Sequence, residues 1–111
     1  MYIIVYVTCS SKEEAQNIGQ ALVEERLTAC ANYFPVGSIY HWQGKIEQSQ
    51  EYALICKTNR KKFVKVRKRI KDMHSYQLPV VAFWKFRAER KVLKWIDESV
   101  GIPGKLIEKE A

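Results

Sequence analysis

The chain has 111 residues, 47% of them apolar, and a net charge of +7. That length carries one core and not two, so a single domain over residues 1–111 is expected, and the apolar share excludes a disordered chain. The positive excess is local: Arg60, Lys61, Lys62, Lys65, Arg67, Lys68, Arg69 and Lys71 supply eight charges and leave the remainder near balance. A solvated helix face accounts for that run, and no aromatic stacking motif accompanies it, so nucleic acid is not expected as a partner.

In chain order, residues 2–8 are a nearly unbroken run of Tyr, Ile and Val, the pattern of a strand buried on both faces. The run is too short to span a membrane and lacks a signal peptide's flanks, so no membrane association is expected. Ser11 followed by Glu14 is a capping box that starts a helix, with Ala15, Ile18, Ala21, Leu22 and Leu27 as its apolar stripe. Residues 28–58 read as two long strands folded back at Gln43-Gly44, because Gly44 sits where a two-residue hairpin loop requires positive φ. The second strand, 45–57, would be roughly 40 Å long at about 3.3 Å per residue, more than a domain of this size covers with its own core. Part of the hairpin is therefore expected to lean on another subunit.

Asn59 caps a second helix running to about residue 73, with Phe63, Val66, Ile70 and Met73 as its buried face. Residues 78–86 read as a strand and 89–100 as a helix ended by Gly101, with a short edge strand at 105–108. The order β-α-β-β-α-β plus a C-terminal helix predicts an α+β, ferredoxin-like split β-α-β fold, whose two main helices share one face of an antiparallel sheet. The other face must be covered by the third helix or by self-association. Cys9, Cys30 and Cys56 are odd in number, widely spaced and without a CxxC, which argues against disulfides and zinc fingers and for reduced thiols in the cytoplasm.

The chemistry-bearing residues are few. No Walker loop, GxSxG or Ser/His/Asp pattern is present, so no enzyme and no organic cofactor is expected. His74 follows the second helix, where an imidazole suits Cu(II), or less readily Zn(II); the alternative is a helix-terminal histidine hydrogen-bonded to the sheet. Cys9 ends the first strand as a soft metal ligand or a small buried hydrophobe. His41 reads as a surface residue, and Cys30 and Cys56 as packing. Tyr40, Trp42, Lys45, Lys57, Tyr76 and Trp95 could line an inter-subunit cleft for a small anionic ligand or nucleotide, or simply build the subunit interface.

The strings Glu25-Arg-Leu-Thr-Ala-Cys-Ala-Asn32, Ser38-Ile-Tyr-His-Trp-Gln-Gly-Lys-Ile-Glu47, Lys57-Thr58, His74-Ser-Tyr76 with Pro79, and Leu93-Lys-Trp95 resemble the CutA divalent-ion tolerance family. The resemblance covers residues 2 to about 99. It implies a ferredoxin-like fold assembled as a homotrimer through its hairpins, and a link to divalent metals, copper especially. The chain departs from the family in Ser75, where proline is usual, in Val80, where an acid is frequent, and in Val92, where tyrosine is usual. The expected function is non-catalytic divalent-metal binding in cation tolerance. The rival expectation is a trimeric sensor built like PII signalling proteins, holding a small anion at the subunit clefts.

Overall fold

Alternation along the first strand sets the architecture. In β1 (Tyr2–Cys9), Ile3, Val5, Val7 and Cys9 are fully buried, whereas Tyr2, Ile4, Tyr6 and Thr8 are half-buried. Successive strand residues point to opposite faces, so one face meets the main core and the other only a partial cover. The apolar run predicts burial on both faces; the structure, a computed structural model describing residues 1–103, closes one.

α1 (Lys12–Glu24) starts at Ser11, whose Oγ accepts the Glu14 N–H at 3.1 Å, while the Glu14 carboxylate accepts the Ser10 N–H at 2.9 Å. This is the expected capping box with its return bond one residue earlier. The helix stops before Leu27 because Arg26 turns left-handed, at φ 57°, and the Leu27 N–H closes onto the Leu22 carbonyl. Leu27 still packs on the core.

β2 (Cys30–Trp42) and β3 (Lys45–Asn59) form the long hairpin, paired from Cys30 opposite Lys57 to Trp42 opposite Lys45. Gln43 and Gly44, at φ 50° and 78°, make the tight turn that twisted strands favour. A 3-10 turn (Arg60–Lys62), capped by the Asn59 side chain, leads into α2 (Phe63–Met73), which buries Phe63, Val66 and Ile70. β4 (Ala82–Lys85) and α3 (Arg90–Ser99) follow, and Gly101 takes φ 71° beyond the last helix.

The four strands form an antiparallel sheet in the order β2-β3-β1-β4, with α1 and α2 packed against Ile3, Val5 and Val7. This is the ferredoxin-like fold, extended by a third helix. α3 covers part of the opposite face. There the buried Asp97 accepts the Tyr2 hydroxyl at 2.6 Å and the Asn59 amide at 3.0 Å, and Ile96 and Val100 are fully buried.

β4 is much shorter than the expected strand over 78–86. Leu78 and Val80 are exposed, and Pro79 has no N–H to offer a sheet. The neighbouring edge of β1 is also taken, because the His74 ring bonds the Thr8 carbonyl that a longer β4 would need. The expected edge strand at 105–108 lies outside the described residues.

The hairpin projects from this body. Along β3, every residue from Glu51 to Asn59 is buried or half-buried, whereas none from Lys45 to Gln50 is buried. The molecule is accordingly elongated, 53 × 23 × 21 Å. Ile39 and Ile46 are 71% and 69% exposed near the tip, beside Tyr40 and Trp42. Among the described residues, no helix is long and apolar enough to cross a membrane.

Candidate metal centre

Three elements meet at one corner: β1 ends at Cys9, α1 starts at Lys12, and α2 ends at Met73. The corner brings together Cys9 Sγ, a Glu14 carboxylate oxygen and a His74 ring nitrogen, all within 4.8 Å of one another. Cys9 and His74 were expected as ligands from the sequence. Glu14 is expected only as half of a capping box, and its carboxylate also lies beside the other two donor atoms.

Each donor is held by its surroundings. The His74 side chain is fully buried; its Nε2 lies 2.8 Å from the Thr8 carbonyl, and its Nδ1 accepts the Tyr76 N–H at 3.1 Å. His74 is thus hydrogen-bonded to the sheet edge, as one of its two readings expects, and its ring also stands beside the other two donor atoms. Glu14 accepts from the Ser10 N–H and hydroxyl and from the Ser75 N–H, and lies 3.8 Å from His74 Nε2. Burial pushes its carboxyl up, but the hydrogen bonds from Ser10 and Ser75 outweigh burial and hold it below the ordinary value. Burial, then the charges of Glu14 and Glu51, push the Cys9 thiol up to about 12, so it keeps its proton at neutral pH.

A thiol sulfur, an imidazole nitrogen and a carboxylate oxygen are a donor set that copper and zinc both accept. The residues therefore fit a metal, provided the ion displaces the Cys9 proton. A surface hollow of about 260 Å³, lined by Glu13, Glu14, Asn17 and Met73 among others, leads to the Glu14 side of the corner.

The cleft candidates do not all converge within one chain, although Tyr40 and Tyr76 are near enough to act on each other electrostatically. Trp42 pairs with Lys45 at the hairpin tip, with Tyr40 two residues away bonding Ser49. Lys57 lies at the far end of β3, where its Nζ donates to Cys30 Sγ at 3.6 Å and Asn32 Oδ1 at 3.3 Å. Tyr76 donates its hydroxyl to the buried Glu51 at 2.5 Å, and Trp95 stands exposed on α3. His41 is exposed opposite Ile46, as expected of a surface residue.

Comparison with known proteins agrees with this fold. The family model described as CutA1 divalent ion tolerance protein matches residues 3–99. The divalent-cation tolerance protein CutA of Archaeoglobus fulgidus is 44% identical over 101 residues, covering 90% of this chain and 99% of the relative. Its solved structure superposes with a TM-score of 0.89 over the same shares of both chains. The solved structure of the Thermus thermophilus protein, 40% identical, gives 0.86 over 89% of this chain and 98% of that one.

The expected cytoplasmic location is overturned. The Archaeoglobus fulgidus protein is described as periplasmic, and a relative from Arabidopsis thaliana, 32% identical over 87% of this chain and 54% of its own length, is described as chloroplastic. The thiols mislead for a physical reason: Cys9 and Cys56 are buried, with burial pushing both up to about 12, so little thiolate is open to oxidation in any compartment and their reduced state says nothing of location. By the match over residues 3–99 and the identity to its relatives, the chain belongs to the CutA1 divalent ion tolerance protein family.

Proposed function

We propose that this chain is a non-catalytic homotrimeric protein that binds a divalent metal, copper in preference to zinc, at Cys9, Glu14 and His74. The observation that carries this reading is the convergence of three different donor atoms within 4.8 Å at one corner. Relatives named for divalent-cation tolerance support the link to metals. The preference for copper follows from the general order of divalent affinities, in which Cu(II) exceeds Zn(II) on nitrogen and sulfur donors. A bound ion would supply the positive charge that this corner lacks. The chain contributes a carboxylate already kept ionised by Ser10 and Ser75, and a thiol and an imidazole held within reach of it.

Two features favour self-association. Among the described residues β2 is an edge strand of thirteen residues, and long open edges are normally covered. The projecting half of the hairpin exposes Ile39, Tyr40, Trp42 and Ile46, and aromatic residues are enriched in subunit interfaces.

Native mass spectrometry with Cu(II) and Zn(II), on the wild type and on His74→Ala, tests both parts. The expected result is a trimer taking up one metal per chain, with uptake lost in the variant. A trimer whose uptake ignores the substitution would exclude this site, and a monomer would exclude the assembly.

A further inference from the structure

We infer that metal uptake at this corner and closure of the segment after α2 exclude each other, so that Tyr76 and Glu51 report metal occupancy to the root of the projecting hairpin. The inference rests on the metal-binding reading above.

The argument begins with donors and acceptors. The Thr8 carbonyl can only accept, so His74 Nε2 carries the ring proton. The Tyr76 N–H can only donate, so Nδ1 presents the lone pair. A neutral imidazole has one proton and one lone pair, and both are committed here.

Coordination through either nitrogen breaks this arrangement. If the ion takes Nδ1, it takes the lone pair that Tyr76 uses. If it takes Nε2, the nitrogen nearer Glu14, the ring proton moves to Nδ1 through solvent and the Thr8 carbonyl loses its donor. Nδ1–H then faces the Tyr76 N–H, donor against donor. In both cases the Tyr76 N–H must leave. The Cys9 proton passes to solvent in either case.

The same segment has a second tether on a metal donor. The Ser75 N–H donates to Glu14 Oε2 at 2.9 Å. A Glu14 carboxylate that turns toward an ion weakens that bond too. The two backbone tethers that hold Ser75 and Tyr76 therefore end on residues that uptake recruits.

The far end of Tyr76 makes the change visible elsewhere. Its hydroxyl is the donor to Glu51, a carboxylate only 6% exposed. Cys9 pairs with Tyr52, so Tyr52 shares the core face and Glu51 points to the opposite one. Glu51 is also the first buried residue of β3 after the exposed stretch of the hairpin. Displacing Tyr76 leaves this buried carboxylate without that donor, where the packed body gives way to the projecting strands.

Zn(II) is the suitable probe, because it is diamagnetic and does not oxidise thiols. Amide hydrogen exchange is followed by NMR on the labelled full chain with and without saturating Zn(II), with uptake measured independently by calorimetry. The Ser75 and Tyr76 amides should exchange about tenfold faster or more when Zn(II) is bound, the scale of one lost hydrogen bond. Stoichiometric uptake with unchanged exchange at both amides would overturn the coupling and leave the metal site standing. Absence of uptake would remove the site, and the coupling with it. Tyr76→Phe keeps the ring and removes the bond to Glu51. Because closure and uptake compete, it should bind Zn(II) about tenfold more tightly than wild type. An unchanged or weaker affinity, which a merely structural hydroxyl would give, counts against the proposal.

Discussion

β3 passes through two regions that share a strand and little else. From Glu51 to Asn59 it is walled by β1 and β2 and packed under α1, with Leu54 and Cys56 in the core. From Lys45 to Gln50 it pairs, among the described residues, with β2 alone, and its apolar residue Ile46 is exposed. An isolated two-stranded ribbon is marginal in water, so the projecting half needs a surface that the packed half already has. The proposed metal corner belongs to the packed half, and the proposed interface residues belong to the projecting one. Uptake and assembly can therefore be perturbed separately, except through Glu51, where the regions join.

The largest expected effect lies in the packed half. Leu54→Ala removes a fully buried side chain and should cost about 2–5 kcal/mol, read as a lower urea midpoint at every protein concentration. Asp97→Ala strips the Tyr2 hydroxyl and the Asn59 amide of their acceptor under α3, and should cost about 1–3 kcal/mol by the same measurement. In the projecting half the outcome should reverse. The double variant Trp42→Asp, Ile46→Asp should lose the trimer in sedimentation while its far-ultraviolet circular dichroism stays that of the folded chain. If the double variant unfolds outright, or stays trimeric, the division between the two regions is wrong.

A smaller effect is confined to acid. Because Glu14 is held below its ordinary value of 4.5, it contributes stability that is complete above that value and is lost as pH falls through the lower folded value. Glu14→Gln should flatten the wild-type loss of stability below about pH 4.5 and leave the slope near neutrality unchanged. A variant as acid-sensitive as wild type would show that the Ser10 and Ser75 bonds do not hold the charge.

The fold was legible in the sequence because its signals are local. The Ser11 and Glu14 pair, Gly44, the Phe63, Val66 and Ile70 spacing, and Gly101 each mark an element without reference to the rest of the chain. β4 was overdrawn because its length is set by a competitor distant in sequence, the His74 ring on the Thr8 carbonyl. The corner was half legible. Cys9 and His74 drew attention by residue type, but Glu14 already had a sufficient local explanation. Topology supplied the missing signal, since a two-residue connection starts α1 beside the end of β1 and α2 ends at the same corner. The Tyr76 bond to Glu51 had no sequence signal at all. The compartment was misread because Cys9 and Cys56 are buried, so their reduced state does not report the redox environment.

The claim that the corner is the metal site is tested most directly by anomalous diffraction at the zinc edge from crystals grown with Zn(II). The expected map has one strong peak per chain, in contact with Cys9 Sγ at about 2.3 Å and with Glu14 and His74. A map with its peak at the hairpin tip, beside His41, or with no peak at the corner, would contradict it.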